Sequence, residues 1–126
     1  MVGIVIVSHS RKLAESIVEL TGLMASGASV AAAGGTDDGG FGTSFQKIYE
    51  AIDSVYSEDG VIVLMDMGSS VMTTEMVLEA YGSDRVAMAD CPVVEGAVVA
   101  TINAQAGMNR EEILEALKDV GTTAKF

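Results

Sequence analysis

Short apolar runs alternate along this chain with longer segments whose apolar residues recur every three or four positions. The first run, Val2-Gly3-Ile4-Val5-Ile6-Val7, is β-branched, free of charge, and ends abruptly in Ser8-His9-Ser10. Its length and composition are those of a strand buried on both faces of a parallel sheet. The next segment predicts a helix capped by Ser10, with Leu13, Ile17, Leu20 and Met24 as its buried stripe and Gly27 as its stop. Ala28 to Ala33 reads as a modest second strand, followed by an irregular loop from Gly34 to Gly42. Thr43 or Ser44 then caps a second helix with Phe45, Ile48, Tyr49, Ile52 and Val55 inward. After the turn Glu58-Asp59-Gly60, Val61 to Met65 form a third strand ending at Asp66. Gly68-Ser69-Ser70 opens a third helix reaching Tyr81, with Met72, Met76 and Ala80 expected on its buried face. Arg85 to Ala89 make a short fourth strand, and Cys91-Pro92 leads into a helix from Val94 to Ala106. Asn109 caps a last helix with Ile113, Leu114, Leu117 and Val120 inward. Residues 1–120 are expected to form a single domain and residues 121–126 a loose tail.

Strands that alternate with helices predict an α/β fold, an open and mainly parallel sheet with right-handed crossovers and helices on both faces. For about four strands the natural order is 2-1-3-4, which reverses chain direction between strands 1 and 3. Ligands meet open α/β sheets at that switch point. His9 ends strand 1 and Asp66 ends strand 3, so distant residues are expected to form an imidazole–carboxylate pair.

Composition narrows the chemistry. The chain has 126 residues, enough for one domain with a real core. With 18 acidic against 7 basic residues the net charge is −11, which argues against nucleic acid and against an anionic membrane surface. No apolar run approaches the roughly 18–20 residues of a membrane span, and no basic stretch precedes the first strand. Cys91 is the only cysteine, which excludes an internal disulfide and fits a reducing cytoplasm. One cysteine and one histidine also cannot build the usual four-ligand zinc site, so no metal is expected.

His9 is the only histidine. An imidazole nitrogen can attack phosphorus and carry the phosphoryl group as a phosphoramidate, while a carboxylate on the other ring nitrogen fixes the tautomer. Asp66 is placed for that second role. Phosphoryl oxygens need donors, and the helix starts after Ser10, at Gly42-Thr43-Ser44 and at Gly68-Ser69-Ser70 offer free N–H groups and a favourable dipole. Thr43, Gly68 and Ser69 are the candidate phosphate-binding residues. Each feature has a plainer reading: Asp66 as a cap of the third helix, the hydroxyls as ordinary caps, Glu95 as a favourable helix-start charge. The methionines read mostly as core filler, with Met65, Met67 and Met72 near enough to His9 to form an adaptable docking surface. The glycine-rich loop matches neither GxGxxG nor GxxxxGK[ST], so nothing here predicts a nucleotide bound by this chain.

Several of these stretches together resemble one family. Gly3 to Ser10, Gly34-Gly35-Thr36-Asp37 with Gly42-Thr43-Ser44, Asp66-Met67-Gly68-Ser69-Ser70 and Pro92-Val93-Val94-Glu95-Gly96-Ala97 are similar to the phosphotransferase subunit of PEP-dependent dihydroxyacetone kinases, in the mannose-type IIA superfamily of the sugar phosphotransferase system. The resemblance implies a cytoplasmic phosphohistidine carrier and a homodimer. His9 would accept phosphate from the phosphocarrier protein HPr and pass it to ADP held on the kinase's nucleotide-binding subunit, so no cofactor would reside on this chain. Met67, Ser70 and Val93 stand where leucine, alanine and leucine are expected. Some relatives carry extra phosphocarrier domains, which a chain ending at Phe126 would have to borrow.

Three rivals remain. A sugar-transporter IIA component would share the phosphohistidine but typically reads Thr-His-Gly at that histidine and Gly-Gly-Ser-Pro after strand 3, unlike Ser8-His9-Ser10 and Gly68-Ser69-Ser70-Val71. A receiver-like module would phosphorylate Asp66 but needs acidic metal ligands after strand 1, which are absent. A flavin-binding domain is disfavoured by the scarcity of aromatics and the lack of tryptophan.

Overall fold

The computed structural model describes residues 1–126. The chain runs β1 (Gly3–Ser8), α1 (Arg11–Met24), β2 (Val30–Gly34), α2 (Phe45–Val55), β3 (Val61–Met65), α3 (Ser69–Tyr81), β4 (Val86–Ala89), α4 (Val93–Gln105) and α5 (Arg110–Leu117). All four strands are parallel, in the order β2-β1-β3-β4. The α/β class and the strand order are those the sequence predicts. Val7 pairs with Met65 and Ser8 with Gly34, so β1 and β3 leave the sheet side by side. No helix is long and apolar enough to cross a membrane.

β1 and β3 are buried throughout because helices cover both faces of the sheet. Ile4, Ile6, Ile62 and Leu64 pack against Ala14 and Ile17 of α1, Ala97 and Ala100 of α4, and Ile113 and Leu117 of α5. Val5, Val7, Val63 and Met65 face Ile48 and Ile52 of α2 and Val77 of α3. Each such side chain contributes about 1.5–3 kcal/mol by leaving water, so the central strand pair is the best anchored part of the fold. Gly34 lets β2 approach the start of α1, since a Cβ there would lie 2.6 Å from both Arg11 Cα and the Ser10 carbonyl oxygen.

Two helix faces differ from the expected ones. In α1 the buried stripe is Ala14, Ile17 and Thr21, one position on from Leu13, Leu20 and Met24, with Leu13 and Met24 exposed. In α3 it is Ser70, Thr74 and Val77, while Met72 and Met76 point to solvent. The same cause operates in both. These helices lie close to the sheet, which favours small residues, and the hydroxyls of Thr21 and Thr74 are satisfied by the Val18 and Ser70 carbonyls of their own helices. Phe45, expected inward, stays partly exposed at the start of α2. Met65 belongs to the core and not to any docking surface.

Candidate functional site

Everything of chemical interest collects where β1 and β3 end. Ser10 caps α1 through a hydrogen bond from the Leu13 N–H, 3.1 Å, which turns the chain sharply after His9. Asp66 follows β3 directly and its N–H donates to the Val7 carbonyl, 3.2 Å. The imidazole and the carboxylate are thereby brought together: His9 Nδ1 lies 3.0 Å from Asp66 Oδ1. The two side chains keep 31% and 19% of their exposure, so the ring has one held edge and one open edge.

The carboxylate is held from several directions. Oδ2 accepts from the His9 N–H and from the Ser8 hydroxyl, both at 3.0 Å, and Oδ1 also accepts from the Met67 N–H at 2.7 Å. Burial works to raise the Asp66 pKa, but hydrogen bonds from Ser70, from the His9 and Met67 N–H groups and from the His9 ring hold it well below the usual carboxylate range. Asp66 therefore stays ionised and acceptor-only, which requires the proton on Nδ1 and leaves the Nε2 lone pair free. Asp66 does not cap α3; Gly68 occupies that position and offers no side-chain bond. Gly68 is required there because the backbone has φ 56° and ψ −120°, a conformation closed to residues with a Cβ.

Nε2 faces a line of hydroxyls. Ser69 Oγ is 2.8 Å away and donates to its lone pair in the resting ring. Thr43 donates to Ser69 Oγ over 3.3 Å and lies 3.1 Å from Thr73 Oγ1. Thr43 thus stands behind Ser69 and makes no hydrogen bond to the ring. Gly68 lies at the exposed start of the same helix. Sequence reasoning missed Ser8, Ser70 and Thr73 as members of this cluster. Ser70 Oγ is fully buried, 3.2 Å from Nδ1, and its spacing to Thr74 and Val77 is the one signal that could have placed it inward.

The glycine-rich loop is ordered around the site. Asp38 accepts from the Thr36 hydroxyl and the Gly40 N–H, which lowers its pKa, and the Gly42 N–H donates to the His9 carbonyl at 3.0 Å. Ser44 caps α2 and donates to Asp37 over 2.6 Å. Glu95 is further along, paired with Lys125 of the tail at 3.2 Å. No group of three or more histidine, cysteine or acidic side chains is placed to hold a metal ion. What remains is a nucleophilic nitrogen with a fixed tautomer, open to solvent, beside hydroxyls and a helix N-terminus that can receive an anion.

Alongside this four-stranded parallel sheet with a histidine where β1 ends, the family model for the PTS system fructose IIA component (EIIA-man) matches residues 3–119. The chain belongs to that family. The similar curated proteins are subunits called DhaM of dihydroxyacetone kinases, named as phosphoryl donor or phosphotransferase subunits. It is 39% identical over 121 residues to DhaM of the PEP-dependent dihydroxyacetone kinase of Escherichia coli, a match covering 90% of this chain and 26% of that one. It is 34% identical over 116 residues to the subunit of the PTS-dependent kinase of Lactococcus lactis, covering 92% and 93% of the two chains. Against DhaM of PEP-dependent dihydroxyacetone kinase 2 of Listeria innocua the identity is 30% over 124 residues, with 95% and 99% covered. The chain thus spans about a quarter of the Escherichia coli relative and nearly all of the other two. Among solved structures, a protein of unknown function superposes with a TM-score of 0.86 at 25% identity, each chain covered completely. The mannose/sorbose specific IIA subunit from Enterococcus faecalis shares the fold, with a TM-score of 0.60 at 17% identity over 99% of this chain and 96% of that one.

Proposed function

We propose that this chain is a cytoplasmic phosphohistidine carrier that takes a phosphoryl group from phosphorylated HPr and delivers it to ADP on the nucleotide-binding subunit of a dihydroxyacetone kinase. The observation that carries the reading is the His9 ring itself, with Nδ1 committed to Asp66 and Nε2 turned outward. In the loading step the Nε2 lone pair forms a bond to phosphorus as the donor's bond to phosphorus breaks, and the donor keeps that electron pair. The Nδ1 proton stays in place throughout, and Asp66 offsets the positive charge that develops on the ring. In the unloading step a terminal phosphate oxygen of ADP attacks phosphorus and Nε2 leaves with its pair. Ser69 releases Nε2, and its hydroxyl then donates to a phosphoryl oxygen, supported by Thr43 and the N–H groups that follow Gly68. The nucleotide stays on the partner, and the carrier needs no cofactor of its own.

Both partners must reach Nε2, and the surface beside it suits transient docking. Met67 in the turn before α3, and Met72 and Met76 on α3, are 70%, 67% and 60% exposed, and Phe41 projects from the glycine-rich loop. Flexible thioethers adapt to more than one partner. The family resemblance adds a homodimer. Light scattering at micromolar concentration tests it; a monomer mass would reject the dimer.

The decisive experiment is the intact mass after incubation with phosphoenolpyruvate, enzyme I and HPr, and again after adding the ADP-loaded kinase subunit. Gain of one acid-labile phosphoryl group, lost on that addition, is expected. Gain without loss would point instead to a sugar-transporter component, and no gain would defeat the carrier reading.

A further inference from the structure

The Ser8 hydroxyl has its hydrogen-bond directions fixed on both sides, and it meets the chemistry of the site only through Asp66. Its oxygen accepts the Ser10 N–H at 3.0 Å, and its hydrogen goes to Asp66 Oδ2, also at 3.0 Å. A backbone N–H can only donate and an ionised carboxylate can only accept, so this order cannot reverse. Ser8 is buried, at 1% exposure, which keeps water from competing for either bond. Strand β1 does not need the hydroxyl. The Ser8 backbone pairs with Gly34 in the sheet and its carbonyl accepts the Gly35 N–H, both functions that alanine would retain. Nor does the hydroxyl hold the carboxylate alone, since Oδ2 also accepts the His9 N–H and Oδ1 the Met67 N–H.

We infer that Ser8 is a positioning residue that sets how tightly His9 holds its phosphoryl group, by drawing the charge of Asp66 away from the ring. The inference rests on the carrier reading above. The Ser10 N–H donating into the hydroxyl oxygen makes the Ser8 O–H a stronger donor, so the chain from Ser10 through Ser8 to the carboxylate is polarised in one direction. A carboxylate that accepts this O–H has less charge to offer the Nδ1–H, and the ring then has less electron density at Nε2. A ring poorer in electrons makes a better leaving group when ADP attacks. Asp66 is the only charged side chain within hydrogen-bond reach of the ring, so no second carboxylate makes up the difference.

The test compares wild type with Ser8→Ala and Ser8→Cys. Alanine leaves the Ser10 N–H without its partner; cysteine fills nearly the same space and donates poorly, so it carries the test if the alanine variant does not fold. After loading through HPr, the transfer equilibrium with HPr and the rate of spontaneous phosphohistidine hydrolysis are measured. The Nδ1–H proton resonance of the unphosphorylated ring is recorded alongside. A cooperative change of about 10–30% in a hydrogen bond to an ion should shift the equilibrium roughly 1.5- to 4-fold toward the phosphorylated chain. Hydrolysis should slow by a similar factor, and the Nδ1–H resonance should move downfield as its bond to Asp66 strengthens. Folded variants that match wild type in all three would overturn the role. So would a shift toward phosphorylated HPr with the resonance moving upfield, which would make Ser8 a mere support for the carboxylate. A wild-type chain that takes up no phosphoryl group would instead remove the carrier reading, and that failure is distinct from the other two.

Discussion

Replacing Asp66 with asparagine is the sharpest probe of the site, because it keeps the shape and removes only the charge. The native carboxylate meets donors on both oxygens: His9 Nδ1–H and the Met67 N–H at Oδ1, the His9 N–H and the Ser8 hydroxyl at Oδ2. An amide can satisfy only one of these sides, and its NH2 must then face a backbone N–H on the other. With the amide oxygen toward the ring, the loss is that of a bond to an ion, about 1.5–3 kcal/mol, or roughly ten- to a hundredfold in transfer rate. With the NH2 toward the ring, the neutral imidazole must move its proton to Nε2, and the cost approaches the roughly ten-thousandfold loss seen when the same exchange is made in hydrolase triads. Transfer from phosphorylated HPr should be followed in single turnovers quenched at alkaline pH, by intact mass. Asp66→Ala, which cannot impose the wrong tautomer, should be less impaired than Asp66→Asn if the amide turns its NH2 to the ring. A rate for Asp66→Asn within threefold of wild type would refute the tautomer reasoning altogether.

His9→Ala should abolish phosphoryl uptake while leaving the circular dichroism spectrum unchanged, and any retained acid-labile label would show a different acceptor. The Asp66 carboxyl titrates lower in the folded chain than in the unfolded one. Its stabilising contribution is therefore complete at neutral pH and fades as pH falls below the ordinary carboxylate value of about 3.9. Denaturant titrations of wild type and Asp66→Asn should accordingly converge in that acidic range, and parallel pH profiles would contradict this. Gly68→Ala should cost about 1–3 kcal/mol of stability through its strained backbone although space for the methyl is open, and should slow transfer by misdirecting Ser69. A thermal melt equal to wild type would show that the turn relaxes. Met72→Glu should raise the KM for HPr or for the kinase subunit at least threefold with the melting temperature unchanged; equal kinetics would remove the α3 methionines from the docking surface.

What the chain reveals before folding depends on how its residues are buried. The β-branched runs at Val2 to Val7 and Val61 to Met65 declare themselves, and parallel connection rules then bring His9 and Asp66 together. α2 is equally readable because Ile48, Ile52 and Val55 are large and fall on one stripe. α1 and α3 mislead for the opposite reason. Apart from Ile17 and Val77, their sheet-facing residues are small or hydroxylated, Ala14 and Thr21 in one and Ser70 and Thr74 in the other, while larger apolar side chains at Leu13, Met72 and Met76 are left outside. Hydrophobicity alone assigns such helices the wrong face. Ser8 and Ser70 escaped notice for a related reason, since a serine that holds a carboxylate, as Ser8 does, or meets an imidazole, as Ser70 does, looks like any helix cap until those partners are placed. Thr43 was placed in the right neighbourhood, but its distance from the ring depends on the path of the glycine-rich loop, which no periodicity encodes.

The His9–Asp66 contact joins the ends of the two innermost strands, whose side chains make up the dry centre of the molecule. Local opening begins at termini, loops and outer elements and reaches such a centre last. The carrier should therefore have no half-competent state: fraying of α5 or of the tail would leave the dyad assembled, and only collapse of the whole sheet would take it apart. Warmed gradually, the protein should lose phosphoryl uptake and its sheet in the same cooperative step, so that a loading assay doubles as a direct count of intact molecules.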